Sequence, residues 1–460
     1  MPLTGLLEKL HLNNGQGREN STAPDNRSLL ERFPQDILYT IFLACLPTNL
    51  ASKKLLMESP LNFSLVCRSW RSVVLLYPSL WADFELHVCN SEEFDAGWVL
   101  KRLKRCLKLS KDALLTASLD VSNGVTQRMD RVVQCLLEEE HRWERIHITV
   151  LDNSIPWPIP SIQCQSSLRL LQLRGTARGE PGNDLSICID GTESSNLRCV
   201  KAIGRFAFVA SGDLPNLQHI EYIPVNLQGG GRFLSFLRSA SSIVQLDMSL
   251  NIMPTSDPQT MVVLSRLEKL NLDCKGFRVD QASFFFNNIS FPSLSTLKLR
   301  SCQISGNIST WIAIGEAYRR SNPPLQNAQF QAVAGSSTTS SWSDECVREF
   351  ANLLRTMKQL THLDVHGGLV TDTLLERLSL RDGMRAAICP ELESLALGCP
   401  WLPFLSESPV IGLIKSRWEM KVQSFKLCLR CKMTQPHIGH VLEDDEILKC
   451  VNQGLELLVA

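Results

Sequence analysis

Four short stretches hold residue types that could do chemistry. Cys428-Leu-Arg-Cys431 precedes His437 and His440, a set that could bind zinc. A zinc finger separates its Cys pair from its His pair by about a dozen residues. Here five intervene, and Cys428 falls in the strand-like run VQSFKLCL, which favours packing over metal. Leu227-Gln-Gly-Gly-Gly-Arg-Phe-Leu234 sets three glycines before a helical pattern. A phosphate loop ends in Gly-Lys-Ser/Thr, and Arg232-Phe233 supplies neither the lysine nor the hydroxyl. A turn is the expectation. Lys101–Lys111 (KRLKRCLKLSK) is the densest basic run. Its apolar residues fit one helix face and no aromatic residue interleaves, so its charges read as a solvated face without nucleic acid. Glu140, His141 and His147 lack the H-E-x-x-H spacing, and the two histidines straddle a helix-to-strand transition. No nucleophile elbow, dinucleotide fingerprint or paired-carboxylate signature is present. The expectation is a binding protein with no catalytic residue, metal or cofactor.

The elements that must position any site come from a repeat. The chain has 460 residues, 44% hydrophobic and 20% charged, with 47 basic and 47 acidic side chains. That balance creates no net field toward nucleic acid or anionic membranes. No apolar run approaches the roughly 18 residues that a spanning helix needs, and the N-terminus lacks a secretory pattern. The 16 cysteines lie mostly inside apolar patterns, such as Cys67, Cys106, Cys135 and Cys274. They read as small buried hydrophobes in a reducing, cytoplasmic or nuclear setting.

LRLLQL, LEKLNL, LSTLKL, LTHLDV and LESLAL begin at Leu168, Leu267, Leu294, Leu360 and Leu392, all of the form L-x-x-L-x-L. Weaker copies begin at or near 143, 197, 217, 243, 325 and 422, so neighbours are 20 to 35 residues apart. WADFELHV (81–88) and LLTASLDV (114–121) alternate in the same manner and extend the series at its front. Each motif ends in the alternation of a half-buried strand. Helical patterns lie between: Val347, Phe350, Leu353, Leu354 and Met357 behind Ser343; Leu374, Leu375 and Leu378 behind Thr371; Phe233, Phe236 and Leu237 after the glycines. One strand and one helix cannot bury their own apolar faces, but stacked units share a core. The fold expected is an α/β repeat solenoid, a leucine-rich-repeat horseshoe. The Asn that usually follows the third Leu is mostly missing; Cys274 and Cys302 stand near that place. DDEILKCVNQGLELLV at the far end reads as an acid-started helix closing the core.

Ahead of the array, Pro34 opens a helix with Ile37, Leu38, Ile41 and Phe42 on one face, and Pro47 ends it. Pro60 opens a second helix carrying Leu61, Leu65, Val66, Trp70, Val73 and Val74, ended by Pro78. Two such short helices must lean on each other, the repeats or a partner. The string RFPQDILYTIF, then LVCRSW with a trailing Val-Val, then PSLW, resembles an F-box, of the kind found in long fungal proteins with irregular repeats. Phe33 stands where that family commonly has Leu before Pro, and Ser52–Ser59 lengthens the link between the helices.

The polar composition of 1–30 reads as a disordered segment, and the resemblance implies an F-box at 31–80 followed by the repeats with their capping helix at 81–460. It implies docking on the adaptor subunit of an SCF-type cullin ubiquitin ligase through Pro34, Ile37, Leu38, Ile41, Phe42, Leu65, Val66 and Cys67. Trp70 is expected to pack internally. The repeats would hold an unidentified protein target, through residues between the leucines such as Lys269, Asn271, Lys298, Arg300, His362 and Asp364. The alternative is a repeat scaffold with no ubiquitin role, its front helices serving as a cap.

Overall fold

A computed structural model describes residues 34–46, 59–88, 96–121, 130–150, 161–164, 166–175, 185–189, 191, 196–224, 230–250, 261–274, 279–302, 308–332, 344–379, 388–399, 405–420, 425–431, 441 and 443–459. The expected disordered segment at 1–30, Ser343, most of the 52–59 link, His437 and His440 lie outside these residues. The fold is mixed α/β, with twelve α-helices among the described residues and one long parallel sheet.

The front holds α1 (Gln35–Cys45), α2 (Ser59–Val66) and α3 (Arg68–Leu76), then a 3-10 turn at Pro78–Trp81. The single helix expected over 61–76 is broken at Cys67. Cys67 is extended (φ −156°), and its sulfur accepts from the Trp70 amide at 3.5 Å, so it caps α3 instead of continuing α2. Arg71 Nε then donates to the Ser64 carbonyl at 2.9 Å, tying the end of α2 to α3. The break lets Phe63 stack on Phe42 (4.7 Å between ring centres) while Val73 and Val74 stay buried.

The main sheet has fourteen parallel strands. They are β1 (Asp83–Val88), β2 (Leu115–Val121), β3 (Trp143–Val150), β5 (Leu170–Gly175), β7 (Cys199–Gly204), β9 (His219–Pro224), β10 (Gln245–Ser249), β12 (Lys269–Asp273), β14 (Thr296–Cys302), β15 (Asn327–Ala332), β16 (His362–His366), β17 (Ser394–Cys399), β18 (Lys426–Cys431) and β19 (Glu456–Val459). All eleven motif positions, and the two alternating segments before them, supply strands of this sheet. The last strand was not anticipated. Helix α12 (Asp445–Asn452) starts as the acids suggest, with the Asp444 side chain accepting from the Glu446 and Ile447 amides. Gly454, at φ +111°, then ends the helical path, and β19 pairs with β18.

The register makes two buried rows. Ile220, Leu246, Leu270 and Leu297 stand side by side, as do Tyr222, Met248, Leu272 and Leu299. The residues between them face the other way, onto the open side. Helices lie behind the buried rows: α4 (Ala96–Ser110), α5 (Asp130–Leu137), α6 (Gly230–Ser239), α7 (Val279–Asn287), α8 (Ile308–Ser321), α9 (Asp344–Thr356), α10 (Asp372–Leu378) and α11 (Glu407–Met420). The basic run is α4, with Leu103 and Leu107 buried and Lys101, Lys104, Arg105 and Lys108 exposed. Thr371 caps α10, accepting from the Leu374 amide at 3.2 Å.

Between β3 and β9, strands stand at the back in place of helices. β4 (Ser161–Cys164), β6 (Leu185–Ile189) and β8 (Phe206–Ala210) form a second parallel sheet. The 20 residues between the motifs near 197 and 217 leave no room for a helix after β7, so the chain returns through β8. β11 (Val262–Val263) and β13 (Ile289–Ser290) make a smaller pair.

Turns are stitched by hydroxyls rather than an asparagine ladder. Ser242 Oγ donates to the Leu214 and Leu217 carbonyls, Ser293 Oγ to Ser265, and Thr361 Oγ1 to Gln326. Cys274 is buried and its amide donates to the Arg300 carbonyl. Buried or partly buried arginines satisfy the carbonyls at helix ends and turns. Arg142 donates to Ala113, Arg320 to Phe286 and Ile289, and Arg417 to Leu378, Ile388 and Cys389.

Candidate functional site

Two surfaces gather the candidate residues. The first is the front helical module. Its interior is complete without help: Leu38, Phe42, Leu46, Val73, Val74, Leu80 and Trp81 form one buried cluster. Trp81 Nε1 donates to the Val74 carbonyl at 2.7 Å, and Tyr39 stacks on Tyr77 with ring centres 4.3 Å apart. Trp70 packs edge-on against Phe42 at 4.8 Å. The cluster continues onto α4 through Cys106 and Leu109.

Leu38 and Phe42, expected on the docking surface, are therefore core residues at 1% exposure each. They are two of the four apolar residues read as a single face of α1; the inward flank of that face carries Leu38 and Phe42, and the adjoining outward flank carries Ile37 and Ile41. Cys67 is half-buried, its sulfur engaged as a cap. The other expected residues are open: Pro34, Ile37, Ile41 and Val66, with Leu65 at 72% exposure. Leu43, Leu75 and Leu76 are exposed apolar residues that the sequence reading left out. Their signal was present, since they sit opposite the residues that pack inward on α1 and α3.

The second surface is the open side of the main sheet. Lys269, Asn271, Lys298, Arg300, His362 and Asp364 all stand on it, at the positions between the buried leucines. Asn271 faces Lys298 directly and Arg300 faces Asp273. His362 and Asp364 stand two strands further on, about 10 Å away at the usual strand spacing. Asp364 accepts from Gln329 Nε2 at 3.1 Å and pairs with His366 Nε2 at 2.6 Å. His362 Nδ1 lies 2.9 Å from Thr361 Oγ1.

The densest polar group on this side was missed. Cys199, His219 and Asp247 stand on the neighbouring strands β7, β9 and β10. His219 Nε2 lies 2.8 Å from Asp247 Oδ2, and its Nδ1 lies 3.7 Å from Cys199 Sγ. Gln245 Nε2 donates to Asp247 at 2.6 Å and Asn271 Nδ2 donates to its other oxygen. Beside them Lys201 and Glu221 pair at 3.1 Å. The hydrogen bond to Asp247, then that to Cys199, raises the His219 pKa to about 9, so the ring is an imidazolium at neutral pH. Burial works to raise the Asp247 pKa, but the bonds from His219, Asn271 and Gln245 outweigh it and hold the carboxyl near 2.

Among the described residues no group of three His, Cys, Asp or Glu side chains is arranged to hold a metal ion. Cys428 is half-buried on β18 and its thiol is free. No described helix is long and apolar enough to cross a membrane. Compared with known proteins, the chain matches no family model and no curated protein.

Proposed function

We propose that this chain is a substrate-recognition subunit of an SCF-type cullin-RING ubiquitin ligase, with an F-box on the front helices and a leucine-rich-repeat array behind it. The observation that carries the reading is the division of apolar residues in the front module. Its own core is closed, yet Ile37, Ile41, Leu43, Leu65, Val66, Leu75 and Leu76 remain exposed. A cap would bury such residues against the array, whereas a docking module keeps them for a partner. Each aliphatic side chain buried in a complex contributes roughly 1.5–3 kcal/mol, so a handful suffices after association costs.

In this reading the adaptor fixes the module to the cullin, and the open side of the sheet holds a protein target near a ubiquitin-charged enzyme. Catalysis is by effective concentration, and no residue of this chain touches the thioester. The setting would be a reducing compartment, cytoplasm or nucleus.

The test is co-purification of the adaptor with the full chain. Ile41→Asp with Leu65→Asp should abolish capture while the circular dichroism spectrum stays that of the wild type. Leu38→Asp should instead unfold the module, because Leu38 is core. Capture at wild-type strength by the double variant would favour the second reading, a scaffold whose front helices cap the array. That reading draws on the contact of the front cluster with Cys106 and Leu109 of α4.

A further inference from the structure

We propose that Cys199 is a covalent modification site, a thiol set beside the His219–Asp247 pair on the open side of the sheet to react with hydroperoxides. Three neighbouring strands bring together a nucleophile, an imidazolium beside it and a carboxylate that orients the ring. Sγ and Nδ1 are 3.7 Å apart, and Nε2 to Oδ2 is 2.8 Å. Asp247 is fixed in turn by Gln245 and Asn271, so the ring is held on two sides. Cys199 is half-buried on the open side of the sheet. None of this serves the proposed docking function, and the inference stands apart from it.

The surroundings select the reaction. Acyl transfer needs N–H donors aimed at a developing oxyanion. The amides of β7 and β9 are in the sheet ladder, directed along the plane of the sheet and away from its open side. Attack on a peroxide needs no such donors. The sulfur lone pair forms a bond to one peroxide oxygen as the O–O bond breaks. Sulfur is oxidised to a sulfenic acid and the peroxide is reduced. The Nδ1–H of the His219 imidazolium gives its proton to the departing hydroxide or alkoxide, which leaves as water or an alcohol, and the thiol proton replaces it on the ring. Leu170 and His219 flank Cys199 in register, so no cysteine stands across from it on either strand. A small thiol from solution would restore it: the thiol displaces water from the sulfenic sulfur, and a second thiol cleaves the mixed disulfide.

The experiment uses the full chain with limiting hydrogen peroxide, dimedone trapping and peptide mass spectrometry. Cys428 is the internal control, since it is half-buried on the same side of the same sheet with no histidine bonded to it. Cys199 should be labelled about tenfold faster than Cys428. His219→Gln should bring Cys199 down to the rate of Cys428 and leave Cys428 unchanged. Equal rates in the wild-type chain would overturn the proposal without any variant. A lead for Cys199 that survives His219→Gln would overturn it as well.

Discussion

At the scale of single residues, the charges that matter are those held by several partners at once. His219 is paired with Asp247, and its pKa is raised to about 9 by that hydrogen bond first. Its contribution to stability is complete below about 6.5, the ordinary histidine value, and is lost as pH rises through 9. Urea unfolding at pH 7 and pH 9.5 should therefore show a loss for the wild type that is smaller in Asp247→Asn. In the same variant the His219 pKa, followed by NMR, should fall toward the ordinary value. Arg417 is a different case, 2% exposed and bonded to the carbonyls of Leu378, Ile388 and Cys389. Burial lowers its pKa to about 10, so it stays charged at neutral pH. Arg417→Met strands those carbonyls and should cost about 3 kcal/mol or more in chemical denaturation. Exposed Arg232→Ala should stay within about 0.5 kcal/mol.

At the scale of elements, each unit is fastened by a few recurring devices. A tryptophan at or just before a strand donates back to the end of the preceding helix: Trp81 to Val74, and Trp143 to Leu136 at 3.3 Å. Trp143→Phe keeps most of the packing but orphans that carbonyl, and thermal denaturation should show a loss of about 1–2 kcal/mol. After β16 the chain turns through Gly367 at φ +80°, where an added Cβ would collide with the Ala332 carbonyl of the strand beside it. Gly367→Ala should lower the melting temperature by several degrees, whereas Gly412→Ala, on α11 with open space around it, should not.

For the whole molecule, two apolar clusters meet at α4. The large one runs the length of the main sheet from Ala82 to Leu455, and the small one fills the front helices. The small cluster has few members, so the front should open more easily than the sheet. Leu80→Ala, at the heart of the small cluster, should speed hydrogen exchange in α1 to α3 while β9 to β16 exchange as in the wild type. Uniform acceleration through the strands would show that the two parts unfold as one.

The sequence by itself determined where thirteen of the fourteen strands of the main sheet lie. L-x-x-L-x-L is a local pattern, and alternation within six residues decides which side chains a strand can bury. Thr371 as a cap and α4 as an amphipathic helix were legible for the same reason, since neighbours in sequence decide them. The tertiary structure alone decided the rest. Leu38 and Phe42 look like Ile37 and Ile41 in sequence, and only the arrival of Phe63, Trp70 and Val73 separates core from surface. The break at Cys67 depends on that same packing. The Cys199–His219–Asp247 group is spread over 48 positions of sequence, and it forms because strand register sets Cys199 beside His219 on β7 and β9 and brings Asp247 of β10 into the adjoining row. Contacts across strands are fixed by pairing, and pairing is a property of the assembled sheet.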